Sequence, residues 1–237
     1  NAISTTLNGN IVNSGAYVGI GTTSFGGSTT LSGTGLFKFG NISLTGTLAD
    51  GGKTISVRGN WTKSGTFTST GTTQFDSSLA QSVNASNFNN FTLGKTSGTV
   101  TLNGAITVGN DFTMNGGDLT TGSLSYSITA TRDFSIYSGN LTANGSTITV
   151  GRHWRKNATF TSSTSTVVLN GASAESVYAS NFYNVSFSGV GIKYLVGNSY
   201  TISGDVSIGN SSVSAVGNGT MTVTGNWTNN TAIGNAA

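Results

Sequence analysis

The sequence predicts an all-β chain wound as a parallel β-helix of roughly ten rungs of ~20–25 residues. Three observations carry that prediction. A short apolar phrase returns six times along the chain. Proline is absent from all 237 residues. Only 7% of residues are charged, and 35 are glycine, yet large apolar side chains recur at set offsets. A disordered chain of this polarity would lack such residues.

The phrase reads apolar, Ser/Thr, apolar, a short spacer, a turn residue and a large apolar anchor. Its copies are Ile55-Ser56-Val57 to Trp61, Ile106-Thr107-Val108 to Phe112, Ile128-Thr129-Ala130 to Phe134 and Ile148-Thr149-Val150 to Trp154, then Tyr200-Thr201-Ile202 to Val206 and Met221-Thr222-Val223 to Trp227. The anchors are spaced by 51, 22, 20, 52 and 21 residues, by subtraction. Alternation within the phrase puts two side chains inward and one hydroxyl outward on a strand. Asn60, Asp111, Asp133, His153, Asp205 and Asn226 precede the anchors. Most are residues that form local side-chain turns, which predicts a corner there. Phe67, Leu119, Leu141, Phe160 and Val213 then form a second inward set.

A longer unit encloses the phrase. Phe39-Gly40-Asn41-Ile42-Ser43-Leu44 matches Phe88-Asn89-Asn90-Phe91-Thr92-Leu93 and Phe182-Tyr183-Asn184-Val185-Ser186-Phe187. Upstream, the stretches opening at Thr66-Phe67-Thr68-Ser69 and Thr159-Phe160-Thr161-Ser162 reach Val83 and Val177. Residues 1–38 read as diverged N-terminal strands, either first rungs or a donor segment, and residues 39–237 as the solenoid repeat domain. The missing proline agrees with strands paired on both edges, because proline cannot donate to a ladder. Helix signals are absent: Gly, Ser and Thr dominate, with no sustained 3.6-residue apolar period.

This organisation resembles the parallel β-helix repeats of giant bacterial surface proteins and adhesins of the filamentous-haemagglutinin-like kind. The strings that carry the resemblance are Gly59-Asn60-Trp61-Thr62-Lys63-Ser64-Gly65-Thr66-Phe67 and Ser86-Asn87-Phe88-Asn89-Asn90-Phe91-Thr92-Leu93. It covers most of residues 36–230 and implies stalks, fibres or adhesive passengers, with no catalytic residues and no cofactor to carry over.

The chemistry in the sequence is sparse. A net charge of +3 with scattered bases gives no nucleic-acid footprint. No Cys is present, which removes disulfides and thiolate chemistry. No apolar run reaches the ~18 residues of a membrane span, so no membrane insertion is expected. The chain opens on Asn1, which reads as a processed chain or a fragment and fits an extracellular or cell-surface product. Asp111, Asp133 and Asp205 share the corner slot, where a structural ladder is expected ahead of a catalytic or metal site. Arg152, His153, Arg155 and Lys156 form one basic spot beside Trp154, the candidate contact for an anionic glycan. Asn41, Asn90 and Asn184 recur as Asn-X-Ser/Thr motifs, which are expected to mark one turn ahead of serving as glycosylation acceptors.

The function expected is a non-enzymatic structural subunit whose partners are other copies of itself, head to tail. The last phrase stops soon after Trp227, and the apolar segment Ile11, Val12, Tyr17, Val18 and Ile20 of another copy could complete it by strand addition. The alternative is an adhesin stalk binding glycans. An ice-binding face of Thr-X-Thr triplets and a polysaccharide-degrading enzyme rank behind both.

Overall fold

The computed structural model describes residues 4–210, 212–216 and 219–230, and these contain no helix. Strands of mostly three to five residues pair in parallel to form a β-solenoid of about 12 turns. Paired positions on successive turns lie between 18 residues apart (Thr5 with Thr23) and 23 apart (Trp154 with Val177). The stack is therefore longer than ten rungs, with tighter turns than expected. Short strands meeting at corners of a few residues need fewer residues per turn. At ~4.8 Å per stacked strand, the rod is roughly 55–60 Å long.

Strands repeat cyclically along the chain on three faces. The first face carries the inward column Phe37, Ile55, Thr73, Phe91, Phe112, Phe134, Trp154, Val177 and Leu195. The second carries Thr23, Ile42, Trp61, Val83 and Leu102, with Val100, Leu119, Leu141 and Phe160 beside them. The third carries Ile106, Ile128, Ile148, Val167, Val185, Val206 and Trp227. Strand periodicity puts alternate residues inside, and these columns fuse into one buried core.

The six anchors do not form one column. Phe112, Phe134 and Trp154 do stack, with ring centroids 4.2 and 5.1 Å apart and planes within 9°. Trp61 lies on the second face, whereas Val206 and Trp227 lie on the third. The cause is that strand, corner, strand recurs three times per turn, so the same phrase fits any corner.

Three long strands, Asn90–Leu102, Phe112–Thr120 and Phe134–Thr142, run unbroken from the first face to the second. They bend where the pairing register shifts. Gly117 and Gly139 sit at that bend with φ of 74° and 86°, a conformation that L side chains rarely adopt.

The longer unit of the sequence is a packing module present twice. In the first copy Trp61 meets Phe67 at 4.8 Å and Phe88 at 5.4 Å, and the two phenylalanines are 6.0 Å apart. In the second, Trp154, Phe160 and Phe182 repeat these separations at 5.0, 5.5 and 6.1 Å. Each indole Nε1 donates to a buried hydroxyl, Trp61 to Ser86 at 2.7 Å and Trp154 to Ser180 at 2.8 Å. These modules also thin the ladder at one step of the stack: strand Trp61–Lys63 meets strand Gln81–Val83 only at Trp61–Val83, and strand Trp154–Lys156 meets strand Glu175–Tyr178 only at Trp154–Val177.

Candidate functional site

At the corners, a side-chain acceptor on one turn takes the backbone N–H of the next. Asn41 Oδ1 accepts from Asn60, and Asn60 Oδ1 from Ser82, both at 2.8 Å. Asn90 accepts from Asp111, and Asp111 from Asp133 at 3.3 Å. Asn184 accepts from Asp205, and Asp205 from Asn226 at 2.7 Å. The corner residues thus satisfy backbone donors that the bend takes out of the ladder. In Asn41, Asn90 and Asn184 the Nδ2 atom, to which a glycan would attach, donates to Thr22 Oγ1, the Gly71 carbonyl and Thr166 Oγ1. All three side chains are built into the corner ladders.

The basic spot centres on an acid. Arg152 grips Asp133 with Nε at 2.6 Å and Nη2 at 2.9 Å, and Arg155 Nη1 also donates to Asp133 Oδ2. Burial pushes the Asp133 carboxyl up, but the two guanidiniums outweigh it and hold it well below the usual carboxylate range. His153 Nδ1 accepts the N–H of Ser176 at 2.9 Å, which only the neutral imidazole can do. Burial lowers the His153 pKa, in agreement with that bond. Lys156 continues the inward column of Met114 and Ile136. The four bases are close in space, but Arg152 and Arg155 are tied to Asp133 rather than pointing freely outward. Asp111 faces Arg132 at 3.8 Å. Among the described residues, no three His, Asp or Glu side chains converge so as to hold a metal ion.

The residues proposed for assembly lie at the two ends. Ile11–Val12 pairs with Leu31 and Ser32, and Ala16–Val18 with Leu36 to Lys38, so this segment forms part of its own chain's first turns. Tyr17 packs on Phe39 at 5.1 Å between ring centroids. Val12, Val18 and Ile20 are exposed. Trp227 continues the inward column of the third face, yet it is 53% exposed where Val206 beneath it is 1%.

Sequence reasoning missed the buried polar pairs. Lys95 Nζ lies 2.6 Å from Gln81 Oε1 and 2.7 Å from the Leu79 carbonyl. Lys193 Nζ lies 3.3 Å from Glu175 Oε1 and donates to the carbonyls of Gly171 and Gly191. Glu175 and Lys193 are wholly buried. Gln81 and Glu175 fill the same place in the two modules, each following a short segment, 76–80 or 170–174, that leads into the strand. The signal was available: Ala80-Gln81-Ser82-Val83 and Ala174-Glu175-Ser176-Val177 align within the repeat.

A comparison with protein-family models, curated proteins and solved structures found no match to this chain.

Proposed function

We propose that this chain is a non-catalytic structural element, a β-solenoid rod that extends by stacking on other copies of itself at an extracellular surface. The observation that supports the reading is the uniform parallel pairing of the described turns, in which each face of one turn seats the same face of the next. Among the described residues, Trp227 is 53% exposed where Val206, its partner on the preceding turn, is 1%. At the other end the first described strands, Thr5–Leu7, Ile11–Val12 and Ala16–Val18, lie on the second, third and first faces. At the far end the same faces are edged by Thr220–Val223, Trp227–Asn229 and Val213–Val216. Among the described residues, the first and last strands of each face thus run parallel, as one turn does with the next. Unpaired backbone donors and acceptors at such an edge recruit another strand. Head-to-tail contact of this kind does not close, so it builds a fibre. Stacking whole edges needs no exchange of residues 1–25 out of their own turns.

Electron microscopy of negatively stained protein across a concentration series tests this, with Trp227→Asp as the control. Long fibres that the substitution abolishes, with unchanged β-sheet circular dichroism, are expected. Short separate rods at every concentration overturn self-assembly, and glycan binding by an Arg152→Ala, Arg155→Ala-sensitive site then becomes the reading to pursue.

A further inference from the structure

We propose that Gln81 and Lys95 join through an intramolecular amide bond, a covalent staple across one turn of the solenoid. This does not depend on filament formation. Both side chains are almost fully buried, and Nζ already touches the carboxamide oxygen at 2.6 Å. The carboxamide cannot turn away: Gln81 Nε2 donates to the carbonyls of Val57 at 2.9 Å and Gly59 at 2.6 Å. The amine and the carbonyl carbon it would attack are thus held together away from water, the arrangement that makes an intramolecular reaction fast.

The remaining requirement is an uncharged amine. Burial lowers the Lys95 pKa, while the negative charge of Asp76 acts in the opposite direction. Asp76, the acid whose charge acts on Lys95, is the proton acceptor of the proposed step. Its Oδ2 takes a hydrogen bond from Ser56 Oγ at 2.7 Å, and its buried Oδ1 has no hydrogen-bond partner. The ammonium gives one proton to Asp76, and the freed Nζ lone pair attacks Cδ of Gln81. The Cδ–Nε2 bond then breaks, Nε2 takes the protons from Asp76 and from Nζ, and ammonium leaves. The net change is carboxamide plus alkylammonium to substituted amide plus ammonium, with no oxidant, reductant or other co-reactant.

The bond ties the strand Gln81–Val83 to the bend of Asn90–Leu102, adding a covalent link to strands that pair at Gln81–Val100, Ser82–Thr101 and Val83–Leu102. The second module differs at both reacting positions. Glu175 replaces the carboxamide, and Asn170 stands where the first module has Asp76. There Glu175 and Lys193 stay in non-covalent contact at 3.3 Å.

The test is the intact mass of the folded chain, followed by peptide mapping. Expected is a mass about 17 Da below that of the sequence, the loss of one ammonia, and a branched peptide joining Gln81 to Lys95. Lys95→Arg should restore the sequence mass, and Asp76→Asn should slow the loss measured after refolding from denaturant. A folded wild-type chain at full sequence mass, with separate peptides carrying Gln81 and Lys95, overturns the proposal. So does a mass loss that maps to Glu175 and Lys193 alone.

Discussion

Replacing Glu175 with Gln should remove a pH dependence that this single carboxyl writes into the stability of the solenoid. Burial pushes Glu175 up from 4.5 to about 7, while Lys193 and the Gly171 backbone pull in the opposite direction without cancelling it. The folded chain therefore holds this proton more tightly than the unfolded chain. Its contribution is whole below pH 4.5 and is lost as the pH rises towards 7. Each tenfold difference in proton affinity is worth ~1.4 kcal/mol. The rise from 4.5 to about 7 thus corresponds to about 3 kcal/mol.

Gln fits because Gln81 occupies the same place in the other module, with its Nε2 on two backbone carbonyls. Lys193 keeps the carbonyls of Gly171 and Gly191 as partners in the variant. Stacked repeats need not unfold in one step, so the probe should be local. Trp154 pairs with Val177, two residues beyond Glu175. Its fluorescence reports this turn when Trp61 and Trp227 are replaced by Phe. Guanidinium midpoints at about pH 4.5 and pH 8 are compared for the two chains. Relative to the variant, the wild type should lose about 3 kcal/mol between them. A wild-type-minus-variant difference that does not move with pH refutes the reasoning.

Two further outcomes follow from the same geometry. Ser86→Ala and Ser180→Ala each leave a buried indole N–H without its acceptor, so each should cost about 1–3 kcal/mol. Because the two bonds match at 2.7 and 2.8 Å, denaturant unfolding should give nearly equal costs. Asp133→Asn removes the carboxylate that pairs with Arg152 and Arg155. The depressed Asp133 pKa gives stability that is present above the usual carboxylate range and lost as the pH falls below it. Thermal melts of the wild type should decline through that acid range, and those of the variant should decline less.

The fold class was legible because alternation and the missing proline report on backbone pairing, which dominates this chain. The corner slot was legible too, since Asn60, Asp111, His153 and Asp205 each accept a backbone N–H from the next turn, as their side-chain chemistry suggests. Asp133 in the same slot is taken by Arg152 and Arg155 instead. Face assignment was not legible. Trp61 and Phe112 follow near-identical phrases, yet their columns lie on different faces. A phrase fixes a strand and a corner, but only the residues accumulated along the preceding turns fix which corner it is. The basic spot shows the converse: four neighbouring bases are obvious in sequence, whereas the acid that Arg152 and Arg155 share lies about one turn earlier, at Asp133. The buried lysines were hidden for a similar reason, because Lys95 and Lys193 meet their partners only through the turn-to-turn register.

The repeat is also out of phase with the coil, and that bears on what the rod can present. Trp61 and Trp154 are 93 residues apart, by subtraction. Trp61 lies on the second face, with Phe67 and Phe88 on the third. Trp154 lies on the first face, with Phe182 and Phe160 on the second. The module is thus reproduced as a cluster spanning two turns, rotated by one face between copies. Its packing survives that rotation because an inward aromatic meets the same kind of neighbours at any corner. Its outward residues do not, since they land on different faces. Where the repeat does match the turn, outward hydroxyls fall in short rows, Thr107, Thr129 and Thr149 on the third face and Thr6, Ser24, Ser43 and Thr62 on the second. The aromatic modules are directed inward, towards holding the stack together, in keeping with the proposed structural role.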